Sequence, residues 1–492
     1  MDTLSPSQVR RWLLLSLLLL VVTAWFSVGY YHVDEHFQIL EFCNFKLGLS
    51  PSTALPWEFG AKCRPALQPF IAFCLSKAAM ASGCYNPFFV AFVLRLLMAL
   101  LTWITTRYLV LTLLPDFNTV KGKKFFIWCS LFLWFVPYIG VRYSSENISA
   151  NLFILAITLL LALGNYSRKQ QYIRLLGAGL LFGFSLYLRL QIGFAFIGLG
   201  IWLIFIRKAP VVHYLLLAVA GLTAIGITTL VDRWFYGEWV FTPYNYFSVN
   251  IIHNVAAQFG VQPWWWYFQK FIELGIPPLS IALFILFLGG MFKARTHVFA
   301  FVLCTFLAGH FAIGHKELRF IFPVVLPFIY MVCRGLNEVF LRFDGRVWLK
   351  YCLKLFIIMN IPILLFKMVT PAQEMMKYYA FVYSYLKQTN ATIVSVKLSP
   401  FALGLLEANY YKPPALNMQV FNKPADLLAA LKQDTAKTYI FMSETLKPGP
   451  ALAGCTTEMI YCQFPAWLLK YNVNGWQERS YIWAVFKVKA GK

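Results

Sequence analysis

The stretch WLLLSLLLLVVTAWFSV, residues 12–28, decides the fold of this chain. Its 17 residues carry no charge, and an apolar helix of this length can cross a hydrocarbon core about 30 Å thick. Arg10 and Arg11 precede it, which favours a cytoplasmic N-terminus because basic residues tend to stay on that side. The stretch is long and has no A-x-A cleavage site, so we expect a retained first membrane span and not a cleaved signal peptide.

The whole chain has the composition of a membrane protein. Of its 492 residues 60% are hydrophobic, and the mean hydropathy is +0.63, whereas soluble domains are roughly 45–50% apolar. The formal net charge of +23 would suggest nucleic-acid binding in a soluble protein. The sequence contains no basic soluble domain, however, and cytoplasmic loops of membrane proteins are themselves basic. The composition therefore predicts a polytopic all-α membrane protein that contacts membrane lipid and no nucleic acid.

The apolar runs predict about 11 transmembrane helices. We place them at residues 12–30, 88–114, 125–141, 148–164, 173–188, 192–206, 211–231, 271–291, 297–313, 320–338 and 351–369. Lysine and arginine cluster in every alternate connection, and we assign those connections to the cytoplasm. The opposite connections hold the residues that suggest chemistry, so we expect a site on the non-cytoplasmic face.

The chain is expected to contain two domains, a membrane domain at residues 1–370 and a small soluble α/β domain at 371–492. Strands are predicted at 391–396, 439–442 and 481–488, and a capped amphipathic helix at 424–432. Eleven spans would leave this C-terminal domain on the non-cytoplasmic side. Cys455 and Cys462 lie in it and are candidates for a disulfide bond if it faces an oxidising compartment.

Two adjacent carboxylates, Asp34 and Glu35, follow the first span. Charges at a membrane surface are costly to keep for packing alone. On a helix they point about 100° apart, so one can act as a general base while the other holds a cation or caps a helix. A salt-bridged, capped turn explains the pair equally well. His32 and His36 have the spacing of a metal site with Asp34, but a structural or substrate-contacting role is favoured because the pattern is short.

Four arginines stand at the mouths of predicted spans on the same face: Arg64, Arg142, Arg189 and Arg319. A guanidinium group can hold a phosphate through two parallel hydrogen bonds. A single arginine in such a place is more often an interfacial anchor. Four arginines on one face favour the phosphate interpretation.

The segment around Arg319 is unusually rich in ionisable groups. His315, Lys316 and Glu317 precede it directly, between two apolar runs. The cations suit a phosphate and Glu317 suits their orientation, with an ordinary exposed turn as the alternative. Trp264 begins a run of three tryptophans, which either stacks on a sugar or, as composition favours, forms an interfacial aromatic belt.

Two separated segments resemble the signatures of one enzyme family. His32-Val33-Asp34-Glu35-His36-Phe37-Gln38 resembles the HPDE-type signature of glycosyltransferase family 22, and His315-Lys316-Glu317-Leu318-Arg319-Phe320-Ile321-Phe322-Pro323 resembles its HKExRF-x-x-P signature. The family comprises the alpha-mannosyltransferases of GPI-anchor and N-glycan assembly, which have the GT-C membrane fold. The chain is most similar to the GPI mannosyltransferases within it, also at residues 57–59, 236–239, 242–246 and 263–267.

This resemblance implies an inverting transfer of mannose from a polyprenyl (dolichyl) phosphate donor to a lipid-linked glycan acceptor such as a GPI precursor. Asp34 would be the base, with Glu35 as the alternative. The residues that would contact donor phosphate or substrate are Arg64, Arg142, Arg189, Trp264, His315, Lys316, Glu317 and Arg319. No cofactor and no metal are expected, because no nucleotide is handled. The enzyme would lie in the endoplasmic reticulum membrane of a eukaryote or the inner membrane of a bacterium, with a luminal or periplasmic active site.

Three departures from the family pattern leave the acceptor open. Val33 stands where the signature has proline, Arg189 is followed by Leu190-Gln191 where Pro-Thr is expected, and the C-terminal region has Leu398-Ser399-Pro400-Phe401 in place of a His-Ser-Thr-Pro stretch. A bacterial relative with another glycan acceptor is therefore an alternative.

A transporter or flippase of a phosphorylated lipid-linked sugar is the rival class of function. Transporters often have repeated halves and charges near the bilayer midplane. This sequence shows no repeat, and its candidate charges cluster on one face. A non-catalytic subunit of a glycosylation complex is a third alternative, and loss of the Asp34 carboxylate separates the enzyme from both.

Overall fold

The computed structural model describes residues 4–275, 277–413 and 416–491. The α-helices in these ranges are α1 Pro6–Phe26, α2 Val33–Glu35, α3 Phe42–Lys46, α4 Trp57–Gly60, α5 Leu67–Ala81, α6 Pro87–Leu113, α7 Val120–Phe132, α8 Phe135–Gly140, α9 Ser145–Leu161, α10 Arg168–Leu188, α11 Gly193–Ile201, α12 Val211–Tyr236, α13 Thr242–Phe247, α14 Trp266–Leu274, α15 Leu279–Lys293, α16 Val298–Ala312, α17 Val325–Phe343, α18 Val347–Val369, α19 Met375–Gln388, α20 Pro424–Gln433, α21 Ala466–Leu469 and α22 Trp476–Arg479. Segments of π-helix cover His36–Glu41, Trp202–Ile206 and Ser248–Ile252.

The long apolar helices confirm a polytopic α-helical membrane protein. Within the described ranges six helices are long and apolar enough to cross a membrane, namely Pro6–Phe26, Pro87–Asp116, Arg168–Leu188, Val211–Tyr236, Leu318–Phe343 and Val347–Val369. Four shorter apolar helices overlap four further predicted spans: Ser145–Leu161, Leu190–Ile206, Leu279–Lys293 and Val298–Ala312. The third of them begins eight residues after the start of its predicted span, 271–291. The structure thus contains a helix at ten of the eleven positions that hydropathy predicts.

The eleventh predicted span, 125–141, is not one continuous helix. Helix α7 ends at Phe132 and α8 begins at Phe135. Pro137 causes part of this break, because it has no N–H for the carbonyl group four residues earlier. The side chain of Asn360 satisfies the backbone at the break: it accepts from the Trp134 N–H at 2.9 Å and donates to the Phe132 carbonyl at 2.8 Å. An apolar environment requires such compensation for exposed backbone groups.

The region between the first two predicted spans also differs from its prediction as a loop. It contains α5, an apolar helix of 15 residues from Leu67 to Ala81. At 1.5 Å per residue this helix is about 22 Å long, which is shorter than the hydrocarbon core. A hydropathy window as long as a full membrane span therefore does not detect this helix.

The chain divides into two compact units, of which the first comprises residues 1–26, 58–70 and 93–370. Small residues bring its helices close together. A Cβ atom added to Gly183 of α10 would lie 2.4 Å from the carbonyl oxygen of Gly221 in α12. A Cβ atom on Gly290 of α15 would lie 1.8 Å from the Met331 carbonyl of α17. Close backbone approach of this kind is how helices pack in lipid, where apolar burial alone gives little driving force.

The second unit comprises residues 27–57, 71–92 and 371–492 and contains the strands. They are β1 Thr392–Val396, β2 Ala402–Leu403, β3 Leu406–Glu407, β4 Met418–Phe421, β5 Tyr439–Ser443, β6 Cys455–Cys462 and β7 Ala484–Ala490. Five of them form a mixed sheet in the order β4-β1-β5-β7-β6. Strand β1 is parallel to β4 and β5, and β7 is antiparallel to β5 and β6.

The sheet confirms the predicted α/β character of the C-terminal region. The predicted strands correspond to β1, β5 and β7, and the predicted helix to α20. Sequence inspection missed the two-residue strands β2 and β3, and in the five-stranded sheet it missed β4 and β6. Both lie at the edges of the sheet and have exposed or half-buried residues, so the buried apolar pattern that reveals β1 and β5 is absent from them.

The suggested pairing of Cys455 with Cys462 is wrong. The two residues are the first and last of the same strand, β6, and both thiols are free. Seven steps of an extended strand separate their Cα atoms by roughly 23 Å. A disulfide bond needs Cα atoms within about 7 Å, so this strand keeps the two sulfurs apart.

The predicted topology can be tested with single cysteines. Leu405 is fully exposed between β2 and β3, and Asn165 is exposed in a connection assigned to the cytoplasm. In sealed membranes of known orientation, a membrane-impermeant maleimide on the cytoplasmic side should label Asn165→Cys and not Leu405→Cys, with the unsubstituted protein as background. Labelling of Leu405→Cys from the cytoplasm would reject the assignment of the charged connections to the opposite face.

Candidate functional site

A buried carboxylate joins two of the predicted arginines in the first unit. Glu146 lies in the first turn of α9, whose N-terminus is capped by the Ser144 hydroxyl. Its Oε1 atom is 3.1 Å from Nη2 of Arg189 and 3.3 Å from Nη1 of Arg319. All three side chains are at most 7% exposed. Arg189 occupies the extended residue after α10, and Arg319 lies in the 3₁₀ segment Leu318–Val324.

The network continues from Arg319 to two more predicted residues. Arg319 donates through Nε to Oε2 of Glu317 at 2.5 Å and through Nη2 to Oε1 at 3.2 Å. The Nε2 atom of His315 lies 2.9 Å from the same Oε1. We call the connected set of His315, Glu317, Arg319, Glu146 and Arg189 the arginine–glutamate network.

The contacts of His315 favour its protonated form. Its Nδ1 atom lies 2.9 Å from the carbonyl oxygen of Gly260, and its Nε2 atom faces the Glu317 carboxylate. Both partners only accept hydrogen bonds, so both bonds form together only when both ring nitrogens carry protons. The hydrogen bond from Glu317 accordingly raises the pKa of His315 above its ordinary value.

The network therefore joins two guanidinium groups and the His315 ring to two carboxylates. Burial of unpaired charge is expensive, and this pairing stabilises the set. Arg189 makes an ion pair with Glu146 and lies 5.0 Å from the Phe320 ring centre. A guanidinium group has five N–H donors, so Arg189 retains donors for an anion. Spare donors on a buried guanidinium group suit the binding of a phosphate group.

Lys316 has a different environment from its neighbours. Its ammonium group donates to the carbonyl oxygens of His310 and Phe311, each at 3.0 Å, and to that of Ile313. These are carbonyl groups at the C-terminal end of α16, which otherwise lack partners. Burial lowers the pKa of Lys316. Lys316 therefore stabilises the end of this helix, and its predicted contact with a phosphate stays a prediction.

Arg142 and Arg64 also lie in the first unit. Arg142 is 1% exposed, and its guanidinium group lies 5.3 Å from the Tyr138 ring centre. Arg64 is 3.5 Å from Glu58 through Nη2 and lies 5.4 Å from the ring centre of Tyr246. Each arginine thus rests against an aromatic ring, and their contact with a donor phosphate stays a prediction.

A buried aspartate fixes the loop that carries Arg64. Asp232 of α12 is fully buried and accepts three hydrogen bonds: from the Ala66 N–H at 2.7 Å, from the Tyr187 hydroxyl at 2.6 Å and from the Thr242 hydroxyl at 2.7 Å. Sequence reasoning did not assign Asp232 or Glu146 to the site. Both could have been noticed in the sequence, because each is a single acidic residue near the end of an otherwise apolar helix.

The segment that carries Trp264 is bonded to the segment 314–317 through Gln262 and Tyr267. The Gln262 N–H donates to the Gly314 carbonyl at 2.9 Å, and the Tyr267 hydroxyl donates to the Glu317 carbonyl at 3.2 Å. The Trp264 side chain is 61% exposed. An exposed ring on a loop attached to the network agrees with both a sugar-stacking surface and an interfacial belt.

Asp34 and Glu35 belong to the second unit and form a single helical turn. The His32 side chain caps this turn by accepting from the Asp34 N–H at 3.3 Å. The Oε1 atom of Glu35 accepts from the Tyr31 N–H at 3.2 Å, while the Asp34 side chain is 19% exposed. Asp34 also has a contact, since its Oδ1 atom lies 3.4 Å from Nδ1 of His32, and both carboxylates are partly buried. Which of the two acts as the base stays a prediction.

His36 lies on the other side of this turn and is fully buried. Its Nε2 atom is 2.8 Å from Oε1 of Glu41, which also accepts from the Tyr410 N–H at 2.8 Å. The imidazole stacks on the Tyr411 ring at 5.4 Å between centres. His36 and His32 therefore have separate protein contacts. Among the described residues no three His, Cys, Asp or Glu side chains form a group that could hold a metal ion.

The pH dependence of stability tests the protonated state of His315. Because the folded state raises its pKa, the stabilisation should be fully present below the ordinary pKa of about 6.5 and be lost as pH rises through the raised value. Thermal unfolding at a series of pH values should show this loss in the wild-type protein, and His315→Gln should remove that component. The same pH profile in both proteins would contradict an imidazolium at this position.

The chain can be compared with known proteins once this geometry is described. A family model of the Alg9-like mannosyltransferases matches residues 12–413. The chain belongs to the Alg9-like mannosyltransferase family. The match includes both signature segments, so the resemblance to glycosyltransferase family 22 is confirmed.

Members of this family with assigned names include GPI mannosyltransferases. The chain is 35% identical over 115 residues to "GPI alpha-1,2-mannosyltransferase 3" of Danio rerio, which covers 23% of this chain and 20% of that protein. It is 26% identical over 337 residues to the protein of the same name from Mus musculus, covering 67% of this chain and 58% of the relative. It is 26% identical over 326 residues to "Mannosyltransferase APTG1" of Arabidopsis thaliana, covering 64% and 56%. The matches thus span less than two thirds of the length of these relatives.

One solved structure shares the fold over nearly the whole chain. It is ArnT from Cupriavidus metallidurans bound to undecaprenyl phosphate, with a TM-score of 0.56 and 11% identity, covering 98% of each chain. At this identity the likeness concerns the fold alone. It confirms the GT-C fold expected for an Alg9-like mannosyltransferase and an integral membrane location.

Proposed function

We propose that the protein transfers mannose from a polyprenyl-phosphate mannose to a hydroxyl group of a lipid-linked glycan. Family membership supports mannose as the transferred sugar. The observation that carries the proposal is the arginine–glutamate network, in which Arg189 and Arg319 share the Glu146 carboxylate inside the membrane unit. Buried guanidinium groups of this kind suit a leaving group that is a lipid phosphate without a nucleotide.

The reaction requires a base and stabilisation of the departing phosphate. In the proposed mechanism the Asp34 carboxylate accepts the proton of the acceptor hydroxyl as its oxygen attacks C1 of mannose. The bond between C1 and the phosphate oxygen breaks, and the polyprenyl phosphate leaves with the bonding electrons. Attack from the face opposite the phosphate inverts the configuration at C1. Glu35 would orient the turn through its bond to the Tyr31 N–H.

Arg189 and Arg319 would stabilise the negative charge on the leaving phosphate. Preorganised donors contribute most where charge develops and water is excluded, and both guanidinium groups are buried. Glu317 would hold Arg319 in place through its two hydrogen bonds. The chemistry then needs no metal ion or cofactor, because the protein supplies both the base and the cations.

The names of the relatives support a GPI precursor as the acceptor. The fold neighbour, whose title records undecaprenyl phosphate, supports a polyprenyl carrier for the donor. A GPI acceptor would place the enzyme in the endoplasmic reticulum membrane with a luminal site. A bacterial glycan acceptor would place it in the inner membrane with a periplasmic site, and the departures at Val33 and Leu190-Gln191 leave room for that case.

The direct test is a transfer assay with the purified full chain. Radiolabelled polyprenyl-phosphate mannose is offered with a panel of lipid-linked glycans, with and without EDTA, and Asp34→Asn serves as the control. We expect a mannosylated lipid product whose formation is unaffected by EDTA and is roughly 10²–10⁴-fold slower with the variant. Movement of the labelled donor across vesicle membranes without any product would instead support the flippase.

A further inference from the structure

A groove lies between the N-terminal half of α1 and the C-terminal half of α6, away from the arginine–glutamate network in sequence. It has a volume of about 630 Å³ and is lined by residues that include Arg10, Leu14, Trp103, Arg107 and Leu111. We call it the α1–α6 groove. Its volume lies within the range of about 300–1,000 Å³ that is usual for ligand sites.

Two hydrogen bonds show the relative direction of α1 and α6, the helices that form the groove. The Trp103 Nε1–H donates to the Leu13 carbonyl at 2.8 Å, and Nε of Arg95 donates to the Ala24 carbonyl at 2.8 Å. The later residue of α1 pairs with the earlier residue of α6, so the helices are antiparallel. Continuing this register by one helical turn brings Arg10 opposite the turn of α6 that contains Arg107.

The two arginines at this end of the groove have no acidic partner among residues 4–275, 277–413 and 416–491. Within the ranges that the structure describes, Arg10 makes no ion pair or hydrogen bond, and Arg107 contacts only the Trp103 and Tyr108 rings, at 5.6 and 5.5 Å. The first carboxylate after α6 is Asp116, and it accepts from the Tyr330 hydroxyl at 2.6 Å. Two like charges on one groove repel each other, so the site is complementary to an anion.

The rest of the groove is apolar and rigidly supported. Leu14 and Leu111 are 53% and 44% exposed on opposite helices. The Trp103 ring between them is fixed by its bond to Leu13. An inorganic anion would leave this surface unused, whereas an acyl chain would cover it. The combination of two cations and an apolar floor matches a lipid with a charged headgroup.

We propose that the α1–α6 groove binds an anionic phospholipid, with its phosphate between Arg10 and Arg107 and an acyl chain over Leu14, Trp103 and Leu111. The predicted topology places this site in the cytoplasmic leaflet, on the face opposite Arg189 and Arg319. It is therefore distinct from the site proposed for the donor phosphate, and its occupancy does not depend on mannosyl transfer. Interfacial anchoring explains one arginine at a membrane surface, but it does not explain two arginines on one groove that have no acidic partner in the part of the chain that the structure describes.

Native mass spectrometry of the purified full chain with added phosphatidylglycerol tests the site. Removal of one basic residue near an anionic lipid is expected to weaken binding about fivefold. Arg10→Gln and Arg107→Gln should each show this loss, and the double variant should lose roughly 25-fold. Arg11→Gln is the matched control, because Arg11 is an exposed neighbour on α1 that does not line the groove, and it should bind as the wild type does.

A second variant keeps both arginine charges and removes the space for the acyl chain of the lipid. Leu111→Trp fills the apolar part of the groove at a position that is exposed in the folded protein, so folding should survive, as a thermal melt would verify. Phosphatidylglycerol binding should fall, and phosphatidylcholine should compete poorly with wild-type binding. An equal loss of lipid binding in Arg11→Gln, or unchanged lipid binding in Leu111→Trp, would overturn the proposal. If inorganic phosphate competed as strongly as the lipid does, the ligand would be a simple anion and the lipid proposal would be rejected.

Discussion

Replacement of Asp34 by asparagine should lower mannosyl transfer by roughly 10²–10⁴-fold, the range expected for loss of a general base. Asparagine keeps the size of the side chain but does not accept a proton at neutral pH. The Asp34 side chain is partly exposed, whereas the backbone turn is held by the His32 cap and by Glu35. The loss should therefore appear in the rate of transfer from bound donor, measured by single-turnover assay, and not in folding.

Glu35→Gln is the matched comparison for this experiment. Glutamine still accepts the hydrogen bond from the Tyr31 N–H through its side-chain oxygen, so the turn should persist and the rate should fall much less than in Asp34→Asn. A fully active Asp34→Asn protein beside an inactive Glu35→Gln protein would reverse the two roles. Full activity in both variants would reject carboxylate catalysis at this turn.

Arg319→Ala should lower the rate of transfer by about 10²-fold, because one oriented electrostatic contact with the leaving phosphate is lost. The same change leaves Glu146 and Glu317 with less compensating charge in a buried place. Breaking a buried ion pair costs about 3–5 kcal/mol of stability, so thermal unfolding should shift as well. The rate is therefore measured per folded protein, at a temperature well below unfolding.

Two controls separate catalysis from stability. Arg168→Ala removes an exposed arginine whose Nε bonds the Tyr172 hydroxyl at 2.9 Å on the opposite end of α10 from Arg189, and it should leave the rate unchanged. Glu146→Gln removes the shared carboxylate and should destabilise the protein, but it keeps both cations and should lower the rate of transfer per folded protein less than Arg319→Ala does. Equal rates in Arg319→Ala and Arg168→Ala would make the segment around Arg319 a structural turn only.

The positions of most membrane helices followed from the sequence because the bilayer acts on local composition. An uncharged run such as residues 12–28 is stable in hydrocarbon whatever surrounds it. One exception arose where a side chain that is distant in sequence stabilises a break in a helix. The broken helix at Phe132 depends on Asn360, which lies more than two hundred residues later in the chain.

The candidate site was predicted as a set of residue types and not as a set of contacts. His315, Glu317, Arg319 and Arg189 were recognised as ionisable residues at span mouths, and the structure joins all four in one network. The carboxylate that links the arginines, Glu146, was missed because its partners are distant in sequence. Lys316 is an ionisable residue at a span mouth like its neighbours, yet its ammonium group donates hydrogen bonds to carbonyl oxygens at the end of α16.

Sequence alone determined the membrane class, ten of the helix positions, the α/β character of the C-terminal region and the family signatures. These properties depend on hydrophobicity, charge and residue identity along short stretches of chain. Only the tertiary structure decided which charges meet, since Glu146, Arg189 and Arg319 come from the ends of three separate segments. Ion pairs act over a few ångströms in space, and the approach of helix ends that creates them depends on packing across the whole unit.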